Sequence, residues 1–379
     1  MPYFKLTGKP VSKELTEVLM NLQSNLYVPI EDIENTPEIK LARSCINNSI
    51  ATDKLAGREE LQEYVLEQLQ KRGSAVIDSD GSVQYNGFIN KNARLDIVIG
   101  LPGAGKSSAL TDIISNEFHS QIIDNDEAKK LIPEYNDGWG ASVVHKEAQN
   151  ISERQLQLSL LNRENIVLPK VGSNPEKLNK IILAAKKLNY EVNVHYVDLA
   201  REKALGRMLN RFVEEGRFLD PQLIEKYHNN IDGNKIAKSY EVLKKGGNVD
   251  GYSRWDNDVK KRERPILIEA ECTGEFIRNA RSSEHLSTDN IRNDGRDGNT
   301  RGGCIPGFYG KSGIMEVIDK QGGNAKNQED SRRSGTGAKR AESSVIRKLK
   351  QYKAEADKKN NTTTDRTISK GDRKRQPER

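Results

Sequence analysis

The stretch Gly100-Leu101-Pro102-Gly103-Ala104-Gly105-Lys106-Ser107 constrains this chain more than any other, because it fits G-x-x-x-x-G-K-[ST] and follows an apolar run. Leu95 to Ile99 reads as a buried strand and Ser107 to Ile114 as a helix, so the order is strand, glycine loop, helix. Glycines let such a loop wrap without Cβ clashes while its N–H groups and the helix N-terminus point inward, which makes a cradle for polyphosphate. Lys106 is placed to reach the β- and γ-phosphates, and the Ser107 hydroxyl to ligate a Mg²⁺ bridging them. The glycine spacing is not G-x-G-x-x-G, which disfavours a dinucleotide-binding site.

From Leu95 to Asp198 the pattern alternates strand and helix, which predicts a mostly parallel sheet with helices on both faces. Gln121 to Asp126 reads as a second strand ending in two carboxylates. A helix follows around 143–161, then a strand at 165–168, a helix at 176–188 and a strand at 192–197. Ligands in such sheets sit beyond the carboxyl ends of the strands, which puts Asp124, Asp126 and Lys170 to Ser173 on the rim of the phosphate loop. Asp126 suits the role of proton acceptor from a substrate hydroxyl, and Asp124 that of orienting water or Mg²⁺. The plainer alternative for the pair is a turn and helix cap. Arg207 and Arg211 fall on one helix face and Arg217 in the turn after it, where a phosphotransferase often carries its lid. His145 and Glu147, two apart on a helix, face different ways and do not make a metal pair; a buried, hydrogen-bonded His145 is expected. Past Gly246-Gly247 the pattern weakens, with one last strand at Pro265 to Glu269 and a helix from Thr273 to Ala280.

The flanks read differently. Ser12 caps a predicted helix with Leu15, Val18, Leu19, Leu22 and Leu26 as one apolar stripe, expected to dock on the central fold. Thr36-Pro37 and Asn47-Asn48 read as loops, 61–69 as a second amphipathic helix, and Asp80-Gly81 as a hairpin turn. Of 379 residues only 35% are hydrophobic and 31% charged, with a mean hydropathy of −0.77, so part of the chain is predicted not to pack. Lys320 to Arg379 carries 18 Lys and Arg against 8 Asp and Glu, whereas the net charge of the chain is +6. The tail thus holds the basic surplus, and the remainder is mildly acidic. Three cysteines without metal-ligand spacing, no signal-like apolar segment and no long apolar run predict a cytoplasmic protein that does not span a membrane.

The segments Gly100 to Ser108, Ile123-Asp124-Asn125-Asp126 with Pro133 after it, and Val144-His145-Lys146-Glu147-Ala148 resemble the zeta toxin kinases over about Leu95 to Tyr227. These are P-loop kinases of bacterial toxin–antitoxin systems, the best known of which phosphorylate UDP-N-acetylglucosamine at the sugar 3′-hydroxyl. The resemblance implies that Gly100, Leu101, Pro102, Gly103, Ala104, Gly105, Lys106, Ser107 and Ser108 bind ATP and that Asp126 is the catalytic base. Arg211 and Arg217 would match the family's two phosphoryl-stabilising arginines. Where the sugar kinases follow the third strand with a glutamate-glycine-threonine segment, this chain has Leu168-Pro169-Lys170-Val171-Gly172, and its two arginines stand closer together.

The expectation is therefore an α/β P-loop kinase of three layers with a mostly parallel sheet: a mainly helical extension over 1–93, the kinase domain over 94–280, an irregular linker over 281–319 and a disordered basic tail over 320–379. Its cofactors would be ATP and Mg²⁺, its partners a small, nucleotide-linked acceptor and an antitoxin, with catalysis by Asp126, Lys106, Arg211 and Arg217 and metal binding by Ser107 and Asp124. Two alternatives stay open. One is an ATP-binding switch or accessory protein of a mobile element that binds nucleic acid or a partner through its basic tail; the other is a kinase of nucleic-acid ends, which the acidic core disfavours.

Overall fold

The computed structural model describes residues 3–282, apart from positions 6, 48, 139, 230, 261 and 262. The expected linker beyond 282 and the expected disordered tail lie outside the described residues. A first hairpin (β1, Tyr3–Phe4; β2, Lys9–Pro10) leads into helices α1 (Lys13–Gln23), α2 (Ile30–Glu34), α3 (Pro37–Asn47) and α4 (Glu59–Lys71). A second hairpin turns at Gly81 (β3, Ala75–Ile77; β4, Val83–Tyr85). The central unit then runs β5 (Arg94–Ile99), α5 (Asp112–Phe118), β6 (Gln121–Ile122), α6 (Asn125–Leu131), α7 (His145–Leu161), β7 (Ile166–Lys170), α8 (Pro175–Lys187), β8 (Glu191–Asp198) and α9 (Arg201–Glu215). It closes with α10 (Gln222–Tyr227), a minimal hairpin (β9, His228–Asn229; β10, Gly233–Asn234), α11 (Lys235–Lys245), β11 (Gly251–Asp256) and β12 (Ile266–Ala270). Positions 275–282 are helical.

The main sheet has the order β12-β11-β8-β5-β7-β6, and all neighbours are parallel except β12, which is antiparallel to β11. Every residue of β5 is buried, as a strand covered on both faces must be. This is the α/β, mostly parallel architecture that the alternating pattern predicts. β11 escaped that pattern because its buried face is Gly251, Ser253 and Trp255 rather than aliphatic. Thr36-Pro37 is not a loop: Pro37 opens α3, where a missing N–H costs nothing, and the Thr36 hydroxyl donates to Ile33 O at 2.8 Å.

Ser12 caps α1 as predicted, its Oγ accepting from Leu15 N at 3.2 Å while donating to the buried Glu38 of α3 at 2.8 Å. Leu15, Val18 and Leu22 are buried, but Leu26 lies beyond the helix end and is exposed, so the stripe is one turn shorter. α1 packs on α9, where the Leu22 Cβ would stand 3.3 Å from a side chain at Gly206, and its leucines join the core built around β5. A smaller core sets Leu61, Val65, Leu66 and Leu69 of α4 against Ala128, Ile132, Val144, Ala148 and Ile151. Of the amphipathic helices ahead of the phosphate loop, α4 therefore holds up α6 and α7, while α1 supports α9.

Candidate active site

The phosphate loop follows β5 directly, and Gly103 and Gly105 both take φ of +81°, where an L side chain is strained. At Gly103 a Cβ would also clash with the backbone carbonyl oxygen of Ala204 on α9, so this position admits only glycine. Ser107–Thr111 forms a wide helical turn before α5. Lys106 folds back over the loop, its Nζ donating to Gly100 O at 2.9 Å and Leu101 O at 3.0 Å. Burial pushes its pKa down to about 8, against the pull of Asp124 and Asp126.

The predicted strand through Asp126 stops at Ile122, and Asp124 turns out to be the cap of α6, its Oδ1 accepting from Asp126 N at 3.0 Å. That is the plainer of its two readings, yet capping occupies one oxygen only. Burial, with Asp126 beside it, raises the Asp124 pKa. Asp126, one residue into the helix, pairs with Lys129 at 3.1 Å and with Arg217. Burial alone would raise its pKa, but those two cations overcome it and hold the carboxyl down at about 2. Asp126 is thus an ionised carboxylate beside the loop that carries Lys106.

The three arginines part company. Arg217 reaches inward after Gly216 ends α9 in a left-handed cap, and among the described residues its buried Nε has no hydrogen-bond partner. Arg211 lies on the exposed face of α9, paired with Glu215 at 3.2 Å. Arg207 stands against the loop, its Nη2 donating to Asn257 O at 3.0 Å and Val259 O at 3.3 Å, while Asn257 Nδ2 donates to Ala104 O at 2.6 Å. A cleft of about 1840 Å³ joins these parts, and Lys106, Ser107, Asp124, Asp126, Arg207 and Arg217 all line it. Arg211 also lines it, from the exposed side of α9.

His145 is half-buried on this cleft, and burial lowers its pKa, so it is a neutral imidazole facing the site. The buried, bonded residue is Glu147 instead, fully enclosed and held by Arg58 at 2.6 Å and Gln62 at 3.1 Å. Arg58 reaches on to Glu134 at 2.6 Å. Sequence reading missed Arg58 and Asn257 because neither sits in a motif; only the fold brings them to the site.

Ser107 and Asp124 offer a hydroxyl and a carboxylate oxygen, the hard donors that Mg²⁺ takes. Asp124 also stands in surplus negative charge from Asp126 and Glu127, which a dication relieves, so these residues fit the metal. Among the described residues no group of three or more His, Cys, Asp or Glu could hold a metal ion alone.

The zeta toxin family model matches residues 89–248. Among solved structures, the chain is similar to one from the PezAT chromosomal toxin–antitoxin system of Streptococcus pneumoniae, at 11% identity and a TM-score of 0.42, covering 64% of this chain and 100% of that one. It is also similar to the AvrRxo1-ORF1:-ORF2 structure with ATP, at 16% identity and a TM-score of 0.38, covering 68% of this chain and 76% of that one. No curated protein matches. The phosphate loop, the Asp124-to-Asp126 segment and the helix from His145 all fall inside the matched span, and residues 89–248 are a domain of the zeta toxin family of P-loop kinases.

Proposed function

We propose that the protein transfers the ATP γ-phosphoryl group to a hydroxyl of a small, nucleotide-linked acceptor, and that it serves as the toxin of a toxin–antitoxin pair. The observation that carries the reading is the ionised Asp126 held in one cleft with Lys106 and Arg217. The acceptor hydroxyl oxygen attacks the γ-phosphorus, its proton passes to Asp126, and the bond to the β-phosphate oxygen breaks to release ADP. In a loose transition state the proton leaves late, so a carboxylate of low basicity suffices. Arg217 is poised to exchange Asp126 for the transferring group, to which its unpartnered Nε adds a donor. Lys106 needs only to leave two carbonyls to meet the phosphates. Mg²⁺, held by Ser107 and Asp124, would neutralise charge on the phosphate oxygens.

The test incubates the protein with ATP, Mg²⁺ and a bacterial small-molecule extract and reads the products by mass spectrometry. A phosphorylated metabolite is expected with the wild type and absent with Lys106→Ala and with Asp126→Asn, both of which keep the native circular dichroism. Full activity in both variants sinks the assignment.

A further inference from the structure

Asn257 follows β11, a strand beyond the span that defines the family, and is only 7% exposed. Its backbone is fixed from both sides. Its N–H donates to Asp198 O at the end of β8 at 3.0 Å, and its carbonyl accepts from Arg207 of α9 at 3.0 Å. Arg207 donates on to Val259 O at 3.3 Å, and Lys203, one turn earlier on α9, pairs with Asp258. Positions 257–259 are therefore strapped to α9, and the Arg207 guanidinium is committed to that strap.

From this base the side chain reaches the phosphate loop, its Nδ2 donating to Ala104 O at 2.6 Å. Only the nitrogen end of an amide can meet a carbonyl oxygen, since the oxygen end would set two acceptors against each other. The approach is close, for a Cβ on Gly105 would stand 2.6 Å from the same Nδ2. A trans peptide is planar, and its C=O and N–H point in opposite directions. Holding Ala104 O towards Asn257 thus turns the Gly105 N–H the other way. Its neighbours in the loop are engaged: Ala104 N–H donates to Leu101 O at 3.0 Å, and Gly105 O accepts from Ala109 N at 2.9 Å. Among the described residues the Gly105 N–H has no acceptor, and Gly105 lines the cleft. A free N–H on a phosphate loop suits a phosphate oxygen.

We propose that Asn257 is a positioning residue for ATP: by gripping Ala104 O it fixes the Ala104–Gly105 peptide with its N–H presented to a phosphate oxygen, and Arg207 supports that grip. Part of the loop's affinity for phosphate is then set by a residue outside the family span. The inference rests on the nucleotide reading of the cleft.

The test uses the full chain. The pair Ala-Gly occurs twice in it, at 56–57 and 104–105. Protein labelled with carbonyl-¹³C alanine and ¹⁵N glycine therefore gives two amide signals in a carbonyl-filtered spectrum, those of Gly57 and Gly105. Ala56→Ser, at an exposed position, removes the Gly57 signal and so assigns both. Saturation with the non-hydrolysable analogue AMP-PNP and Mg²⁺, checked by calorimetry, should move the Gly105 proton downfield, as donation to a charged oxygen does, and leave Gly57 in place. Asn257→Leu matches the side chain in size but has no donor. In it the Gly105 shift should be lost at saturation, and the Kd for AMP-PNP should rise about tenfold or more, the loss of one hydrogen bond to a charged group. Asn257→Asp, with an acceptor in place of the donor, is the second variant and should behave alike. A merely structural role would lower the Tm and leave the Kd, measured well below it, unchanged; that result overturns the proposal. So does a Gly105 signal that still moves in the saturated variants. A wild-type Gly105 signal that stays put while AMP-PNP binds defeats this inference alone, whereas no binding at all defeats the nucleotide reading.

Discussion

Asp126 keeps its charge because Arg217 and Lys129 both lean on it, and Arg217 must be the one to move, since Lys129 is on the same helix and buried. This separates the arginines by function. Losing a donor aimed at developing charge in an enclosed site costs roughly 10²–10³-fold in rate, so Arg217→Ala should lose about that much phosphoryl transfer. Arg211→Ala, which breaks an exposed i,i+4 pair, should stay within about threefold. Steady-state rates of the two variants decide it, and equal losses would mean that Arg211 swings in from the surface. The sequence brings all three arginines to one helix and the turn after it, and the resemblance picks Arg211 with Arg217, whereas the fold turns Arg207 and Arg217 inward. The choice depends on Gly216 turning the chain and on Asn257 arriving from a strand more than forty positions on.

A second residue-scale system lies away from the cleft. Asp96 of β5 and His195 of β8 are fully buried, with His195 Nε2 3.1 Å from Asp96 Oδ1 and its Nδ1 2.7 Å from Ser253 Oγ. With Nε2–H donating to the carboxylate, Nδ1 accepts from the Ser253 hydroxyl, whose oxygen takes the Trp255 indole N–H at 2.7 Å. Burial would raise the Asp96 pKa, but His195 and the Arg94 guanidinium at 2.8 Å hold it below the usual range. A folded value below the unfolded one of about 3.9 gives stability that is present above that pH and lost as pH falls through the folded value. Asp96→Asn should therefore flatten the fall of the urea midpoint below about pH 4, and should cost up to about 3 kcal/mol at pH 7, because the buried Arg94 keeps only the half-exposed Glu191 at 2.8 Å as its ion-pair partner. An unchanged acid slope would show that other carboxylates govern it.

At the scale of elements, α7 is the wall on which His145 stands, and it is pinned from outside the matched family span. Arg58, at the start of α4, bonds Glu147 through Nε at 2.9 Å and Nη2 at 2.6 Å, and Glu134 through Nη1 and Nη2. Arg58→Ala strands Glu147 in a closed site, which should cost about 3–5 kcal/mol, whereas Glu147→Gln with Arg58→Met should recover part of it. Thermal melting of the single and double variants checks this, and additive losses would disprove the coupling. Elements were legible wherever a period was clear: β5, β7, β8 and the helices between them carry aliphatic runs or stripes. They were hidden where buried surface is polar, as in β11 with Ser253 under His195, while β6 was legible but shorter than its apolar run, since only Gln121 and Ile122 pair before Asp124 caps the next helix. Of the site, the loop and Asp126 could be read from motifs. Asn257, Arg58 and the hairpin wall at Tyr85, with Arg72 stacked 3.9 Å from its ring, could not, because each is brought in by tertiary packing alone.

Across the whole molecule, the span that defines the family and the unit that folds do not coincide. Residues 89–248 leave out α4, which covers Ala128, Val144 and Ile151, and α1, whose Leu15 and Leu22 are completely buried in the main core. They also leave out β11, which extends the sheet beyond β8, and Asn257, which pins the loop at Ala104. Each fully buried leucine contributes about 1.5–3 kcal/mol relative to solvent, and losing α1 and α4 exposes several at once. That exceeds the roughly 5–15 kcal/mol by which a domain is ordinarily stable. A chain restricted to 89–248 should therefore show no cooperative melting transition and no ATP binding, whereas residues 1–282 should melt as one unit and bind ATP. Calorimetry on the two chains is the check. A folded, nucleotide-binding 89–248 fragment would mean that the helices ahead of it are an accessory cover rather than half of the wall that faces the acceptor.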